Sequence, residues 1–307
     1  MSEVAAKIVK EDIVKKMQKR KEYVIGLAAG YSPTSLYKYF AKMANDGEFK
    51  SSNIRSFNLD EYVGLPGENS QQRTIHPESY CYFMIKELFS LLKNKFNEST
   101  LPYGSLIDQE KLIEELKKFP SDWKELGTDA GKSIVIKDKP KSKYLAWIQR
   151  EVLNAYEKKI QKFDGIDLQI IGVGSRGHIA FHESGIPFEG SRVMLIKLDN
   201  NTVKNAILDG HFSSEKDSPH YAISMGAEIV YKAKTVLLLA NGERKTKSVG
   251  QSLLEDPTLK IPISYGQIYA KNGGNLIYVV DKIAGKDFLD NINLLRSKEI
   301  EINNIAQ

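Results

Sequence analysis

The chain has 307 residues, 44 basic against 39 acidic side chains, a formal net charge of +5 and one cysteine. A single cysteine excludes a disulfide framework and a cysteine-built zinc site, and no apolar run approaches the length of a membrane span. The charged amino-terminal stretch carries no signal segment, so the expectation is a soluble, cytoplasmic protein. Its slight basic excess suits an anionic small molecule; nucleic acid is not expected, because the lysines are dispersed instead of gathered into one aromatic-studded patch.

The length allows one large α/β domain or two small ones, with a core that needs no staple. Ile8, Val9, Ile13, Val14 and Met17 recur at helical spacing and predict an opening amphipathic helix. Residues 23–27 read as a buried strand, followed by the turn Ala28-Ala29-Gly30-Tyr31-Ser32-Pro33. Ser32 suits an N-cap and Pro33 a first helical position, which predicts a helix over 33–43. A strand, a glycine turn and a helix amino terminus form a physical anion site, though a plain βα turn has the same pattern. No Gly-Lys-Ser/Thr follows, so it is not a Walker A loop.

Residues 54–59 predict the next strand, running into Asp60-Glu61-Tyr62. A carboxylate at a strand's carboxyl end is placed to exchange protons with a ligand; helix capping or a surface ion pair is the alternative. After a loop, His76-Pro77-Glu78-Ser79-Tyr80 opens an aromatic-rich helix to about residue 92. Residues 103–143 read as an exposed excursion with one short helix near 111–118, and lysine-rich 132–143 as a solvated surface loop. Helical spacing returns over 144–160 (Trp147, Val152, Tyr156, Ile160).

The most informative stretch is 167–185. An apolar run over 168–173 predicts a buried strand; Gly172, Gly174 and Gly177 then form a turn, with His178 and Glu183 straight after it. G-x-G-x-x-G after a strand is also a dinucleotide fingerprint, but that needs a long helix opening at the third glycine. Gly185 and Pro187 would cut such a helix to about two turns. A catalytic loop fits better, with a tight turn and a surface histidine as the plain alternative. Strands at 193–198, 220–224, 235–240 and 275–280 alternate with helices at 201–208, 226–232 and 243–254. That alternation predicts a three-layer αβα fold, a mostly parallel sheet with helices on both faces.

Four blocks make the chain resemble the glucosamine-6-phosphate deaminase/isomerase family: Leu27-Ala28-Ala29-Gly30-Tyr31-Ser32-Pro33; residues 57–66 with His76-Pro77-Glu78-Ser79-Tyr80; Gly172 to Glu183; and Ala240-Asn241-Gly242-Glu243-Arg244-Lys245. The related 6-phosphogluconolactonases share the fold and a Gly-His turn but lack the Asp-Glu-Tyr-Val-Gly-Leu run. The resemblance implies one Rossmann-like deaminase/isomerase domain over 1–307, with 103–143 as an added surface element or an oligomer contact. It implies conversion of an amino-sugar 6-phosphate to fructose 6-phosphate and ammonia, with no cofactor and no metal. On matching positions, Asp60 is the proton-transfer base, and His178 with Glu183 the ring-opening pair. Gly30, Tyr31, Ser32 and Lys245 are phosphate ligands, with Glu61 supporting the substrate site.

The departures carry expectations of their own. Arg176 stands where the family has Asp or Asn, and a cation there disfavours protonated His178 unless it turns outward or Glu183 orients the ring alone. The family's phosphate-clamping arginine falls by count on Leu208, with Lys204 as a substitute if the count slips. Ala29 and Tyr31 replace the usual Thr and Gly, and Met194 and Ile196 replace basic residues of allosteric members, so activation by N-acetylglucosamine 6-phosphate is not expected. A sugar-phosphate-binding protein without turnover, or an isomerase for a different sugar, is the alternative; lactone hydrolysis is disfavoured by the Asp-Glu-Tyr block.

Overall fold

The computed structural model describes residues 1–208 and 210–305. Eleven strands are defined among them: β1 (Tyr23–Leu27), β2 (Ile54–Asn58), β3 (Asp60–Val63), β4 (Glu98–Thr100), β5 (Trp123–Leu126), β6 (Lys132–Ile136), β7 (Leu168–Ile171), β8 (Val193–Lys197), β9 (Tyr221–Met225), β10 (Thr235–Ala240) and β11 (Asn275–Val280). Six form a parallel sheet in the order β11-β10-β7-β1-β2-β4. Every residue of β1, β7 and β10 is buried, as required where helices cover both faces. From β1 the chain steps one way to β2 and β4, and from β7 the other way to β10 and β11, so strand order reverses between β1 and β7. The carboxyl end of such a junction is where open α/β sheets leave a crevice. The β1–β7 junction is short, registering only at Ile25–Leu168 and Gly26–Gln169, whereas β1–β2 registers over five pairs.

The expectation of a three-layer αβα fold holds for this sheet. It missed a second, antiparallel sheet in the order β3-β9-β8-β6-β5. Leu59 is the crossing point: its N–H bonds Leu27 O of the parallel sheet at 3.0 Å, while its carbonyl accepts from Met225 N of the other at 2.7 Å. Asp60 is therefore the first residue of the second sheet, not part of a loop. Residues 103–143 are likewise no mere excursion. They supply the helix Gln109–Lys118 and the hairpin β5–β6, and in the supposed solvated loop Ser133, Ile134 and Ile136 are buried. Met194 and Ile196 of β8 sit in a second apolar cluster with Tyr62, Phe181, Ile186 and Phe212.

Two local expectations shift. The helix predicted from Pro33 starts at Tyr31, with Gly30 rather than Ser32 as N-cap. Glycine takes that position because its φ is +107°, a conformation L side chains avoid. The helical stretch 144–160 is real but passes through a π-turn at Ile148–Asn154. No helix among the described residues is long and apolar enough to cross a membrane.

Candidate active site

A cavity of about 890 Å³ opens at the β1/β7 junction. Its walls come from the turn after β1 (Ala28 to Thr34), the start of β3, the turn before the helix Tyr80–Glu87, the loop after β7, and the turn after β10. Asp60, His178, Gly30, Tyr31, Ser32 and Lys245 all line it. Glu61, Glu183 and Arg176 do not, and each has another task.

Two helices begin at the cavity, Tyr31–Asn45 and Glu243–Leu254, each with a positive-φ glycine (Gly30, Gly242) at its N-cap and no side-chain cap. Ser32 Oγ donates to Asn241 Oδ1 at 2.8 Å and ties the two turns together. Uncapped amino ends present backbone N–H groups and the positive end of the helix dipole, which suits an anion. Tyr31 is exposed on this rim. Leu208 is exposed and lies off the cavity wall, as does Lys204, so neither occupies the arginine's place. Among the described residues of this part of the chain, His211, three residues past Leu208, lines the cavity, its Nδ1 2.7 Å from Glu78 Oε2.

Asp60 is buried, and burial first, then the neighbouring Glu61 carboxylate, hold its carboxyl well above the usual range. Glu61 turns to the protein. It accepts from Tyr62 N, Tyr80 N, Cys81 N and Ser79 Oγ at 2.9–3.0 Å, capping the helix Tyr80–Glu87. This is the capping alternative, applied to one of the two acids. The cap also sets the aromatic wall, where Tyr80 stacks on Phe181 (5.9 Å, 8°) and both meet Tyr62.

No helix opens at Gly177, as the dinucleotide reading would require; irregular backbone runs on to β8. Gly174 is needed for close approach, since a Cβ there would overlap the His178 ring, 2.0 Å from Nε2. His178 Nδ1 lies 3.8 Å from Glu183 Oε2, too long for a hydrogen bond but within reach of a small ring rotation. Glu183 is anchored through its other oxygen by Thr202 Oγ1 (2.7 Å) and Asp199 N (3.3 Å). Burial dominates both groups. It pushes Glu183 up to about 7, and with Lys245 and Arg176 nearby it lowers His178 to about 4, Asp199 opposing. Ala180, on the same wall, has φ +51°, an outlier for a residue with a Cβ and the kind of strain that surroundings must hold in place.

Arg176 does turn away. Nη1 bonds Asp199 Oδ2 at 2.8 Å and Nη2 bonds the Asp129 carboxylate, so two acids face the cation. Sequence reasoning missed His211, Asp199, Thr202 and Asp129. Only His211 left a signal, as one of five histidines in the chain.

No family model matches the chain. It is 33% identical to the glucosamine-6-phosphate deaminase of Clostridium perfringens (strain 13) over 287 residues, 93% of this chain and 94% of that one. It is 31% identical to the glucosamine-6-phosphate deaminase of Thermoanaerobacter pseudethanolicus over 302 residues, 98% and 95% of the two chains. Among solved structures, a monomeric glucosamine-6-phosphate deaminase aligns with TM-score 0.68 at 23% identity, covering 93% of this chain and 94% of its own. The 6-phosphogluconolactonase of Thermotoga maritima aligns with TM-score 0.58 at 16% identity, covering 91% and 95%. The structural matches at these identities speak to the fold.

Proposed function

The chain belongs to the glucosamine-6-phosphate deaminase family, and from that premise we propose that it converts glucosamine 6-phosphate and water to fructose 6-phosphate and ammonia. The observation that carries the residue assignment is that Asp60, His178 and two uncapped helix starts line one cavity. The phosphate binds against the turns Gly30 to Ser32 and Asn241 to Lys245, with Lys245 supplying positive charge and His211 a ring nitrogen on the same wall. His178, neutral at physiological pH, takes the proton from the sugar's anomeric hydroxyl and passes it to the ring oxygen as the bond between the anomeric carbon and that oxygen breaks, which opens the ring. Glu183 orients the imidazole and balances its charge.

Asp60 then removes the proton from the carbon bearing the amine, while the ammonium gives up one proton and the aldehyde oxygen gains one, and Asp60 returns the carbon-bound proton to the former aldehyde carbon. One carboxylate on one face of the planar enolamine serves both carbons. The resulting imine adds water and loses ammonia. The substrate's ammonium helps here, because a cation beside a buried, reluctant carboxyl favours its ionised form.

Formation of ammonia and fructose 6-phosphate from glucosamine 6-phosphate, without added cofactor, tests the reading. Turnover should vanish in Asp60→Asn while the sugar phosphate still raises the melting temperature. A wild type that binds but never turns over would instead be a sugar-phosphate sensor.

A further inference from the structure

The hairpin turn between β5 and β6 is interlocked with the loop that carries His178 and Glu183. Thr128 N donates to Gly185 O at 3.0 Å. Gly131 lies flat against Glu183, where a Cβ would stand 2.6 Å from that side chain's Cβ and Cγ. Asp129, at the tip, holds one arm of Arg176; the other arm goes to Asp199, whose own N–H reaches Glu183. One guanidinium thus joins three segments: the hairpin turn, the loop after β7 and the start of the helix Asn200–Leu208.

We propose that the β5–β6 turn belongs to the catalytic apparatus, and that Asp129 is a positioning residue: it holds the Arg176 cation off His178 while Gly131 backs Glu183. The physical need is clear from the charges around the imidazole. Lys245 approaches from the helix Glu243–Leu254, Arg176 and His182 lie on the same loop, and Asp199 and Glu183 oppose them. Loss of one of the two carboxylates facing Arg176 leaves that cation free to approach both His178 and Glu183. Its approach disfavours imidazolium and favours the Glu183 carboxylate, so Glu183 gives up its proton at lower pH.

This inference rests on the acid–base role given to His178 and Glu183 above. The test is a double-mutant cycle on kcat, KM and the pH profile with Asp129→Asn and Arg176→Met. Asp129→Asn should lower kcat about tenfold with KM nearly unchanged, and move the apparent pKa near 7 to lower pH. In the Arg176→Met background the same substitution should change neither. Gly131→Ala, which displaces Glu183 without touching a charge, should also lower kcat. Equal loss in both backgrounds, or a lowered melting temperature with an unchanged pH profile, makes the turn merely structural and overturns the proposal. A wild type without turnover overturns it together with the reading beneath it. Turnover that survives Asp129→Asn intact overturns the inference alone.

Discussion

In the proposed function the two sheets divide the labour. The parallel sheet ends in glycine-capped helix starts, assigned to phosphate binding; the antiparallel sheet begins at Asp60 and, through the β5–β6 turn, packs against the loop of His178 and Glu183. Binding a phosphate needs only backbone N–H groups and positive charge at the ends of strands, which any doubly wound sheet provides. Proton transfer needs carboxyls and an imidazole whose affinities for protons are set by burial and neighbours, and that takes a second wall packed against the first. The proposed chemistry therefore sits along the boundary, at Leu59–Asp60 on one side and His178 on the other.

Substitutions on the two sides should separate turnover from binding. The largest effect is expected at Asp60: Asn should lower kcat at least about a thousandfold. The same change should stabilise the fold. Burial raises the Asp60 carboxyl, so its contribution to stability is full below the unfolded pKa near 3.9 and is lost as pH rises through the folded value. At pH 8, where the unfolded carboxyl is ionised, burying the group is a net cost, and Asp60→Asn should raise the melting temperature by about 2–4 °C, read by calorimetry. A melting temperature that falls would mean the carboxylate is compensated by contacts at the cavity wall.

On the binding side, Lys245→Met should raise KM about tenfold or more and change kcat less; a loss confined to kcat would move Lys245 to the other class. His182 sharpens the contrast with His178, four residues away. It is fully buried, Nε2 3.0 Å from Ile186 O and Nδ1 accepting from Ala227 N at 3.0 Å, and burial lowers it to about 4. Both ring nitrogens serve the backbone, so it is structural. Its stabilisation is full above the ordinary pKa near 6.5 and is lost as pH falls toward 4, by up to about 3 kcal/mol. Denaturant melts across pH 4–6.5 should show that slope, and His182→Asn should flatten it. The smallest effect is at Tyr31, 86% exposed: Tyr31→Ala should leave the melting temperature within about 1 °C and change KM only a few-fold.

The parallel sheet was legible because β1, β7 and β10 are continuous apolar runs, the pattern that burial on both faces imposes. The second sheet was not. β3 is the short acidic Asp-Glu-Tyr-Val, whose strand character comes from pairing with β9, and β5 is half exposed among lysines and glycines. Asp60, His178 and Glu183 stand out in the sequence as candidates because motif and ionisable residue coincide there. Glu61 has the same chemistry and stands one residue away, yet the direction of its side chain depends on where the helix Tyr80–Glu87 lands. Arg176 looked incompatible with its neighbour because its partners lie 23 and 47 residues distant. Leu208 is reached by counting along a segment in which, among the described residues, His211 lines the cavity.

The shortness of the β1–β7 junction has a mechanical consequence. With two registered pairs against six for β10–β11, it is the most compliant line across the parallel sheet, and the cavity lies at its end. A phosphate held by the Gly30 turn on one side and the Lys245 turn on the other would act as a rivet across this seam, joining two halves that the backbone itself joins weakly. Ligand binding would then be felt as stiffness: amide protons of β1 and β7 should exchange more slowly in the loaded protein, while those of β10 and β11, already stitched along their whole length, should barely change.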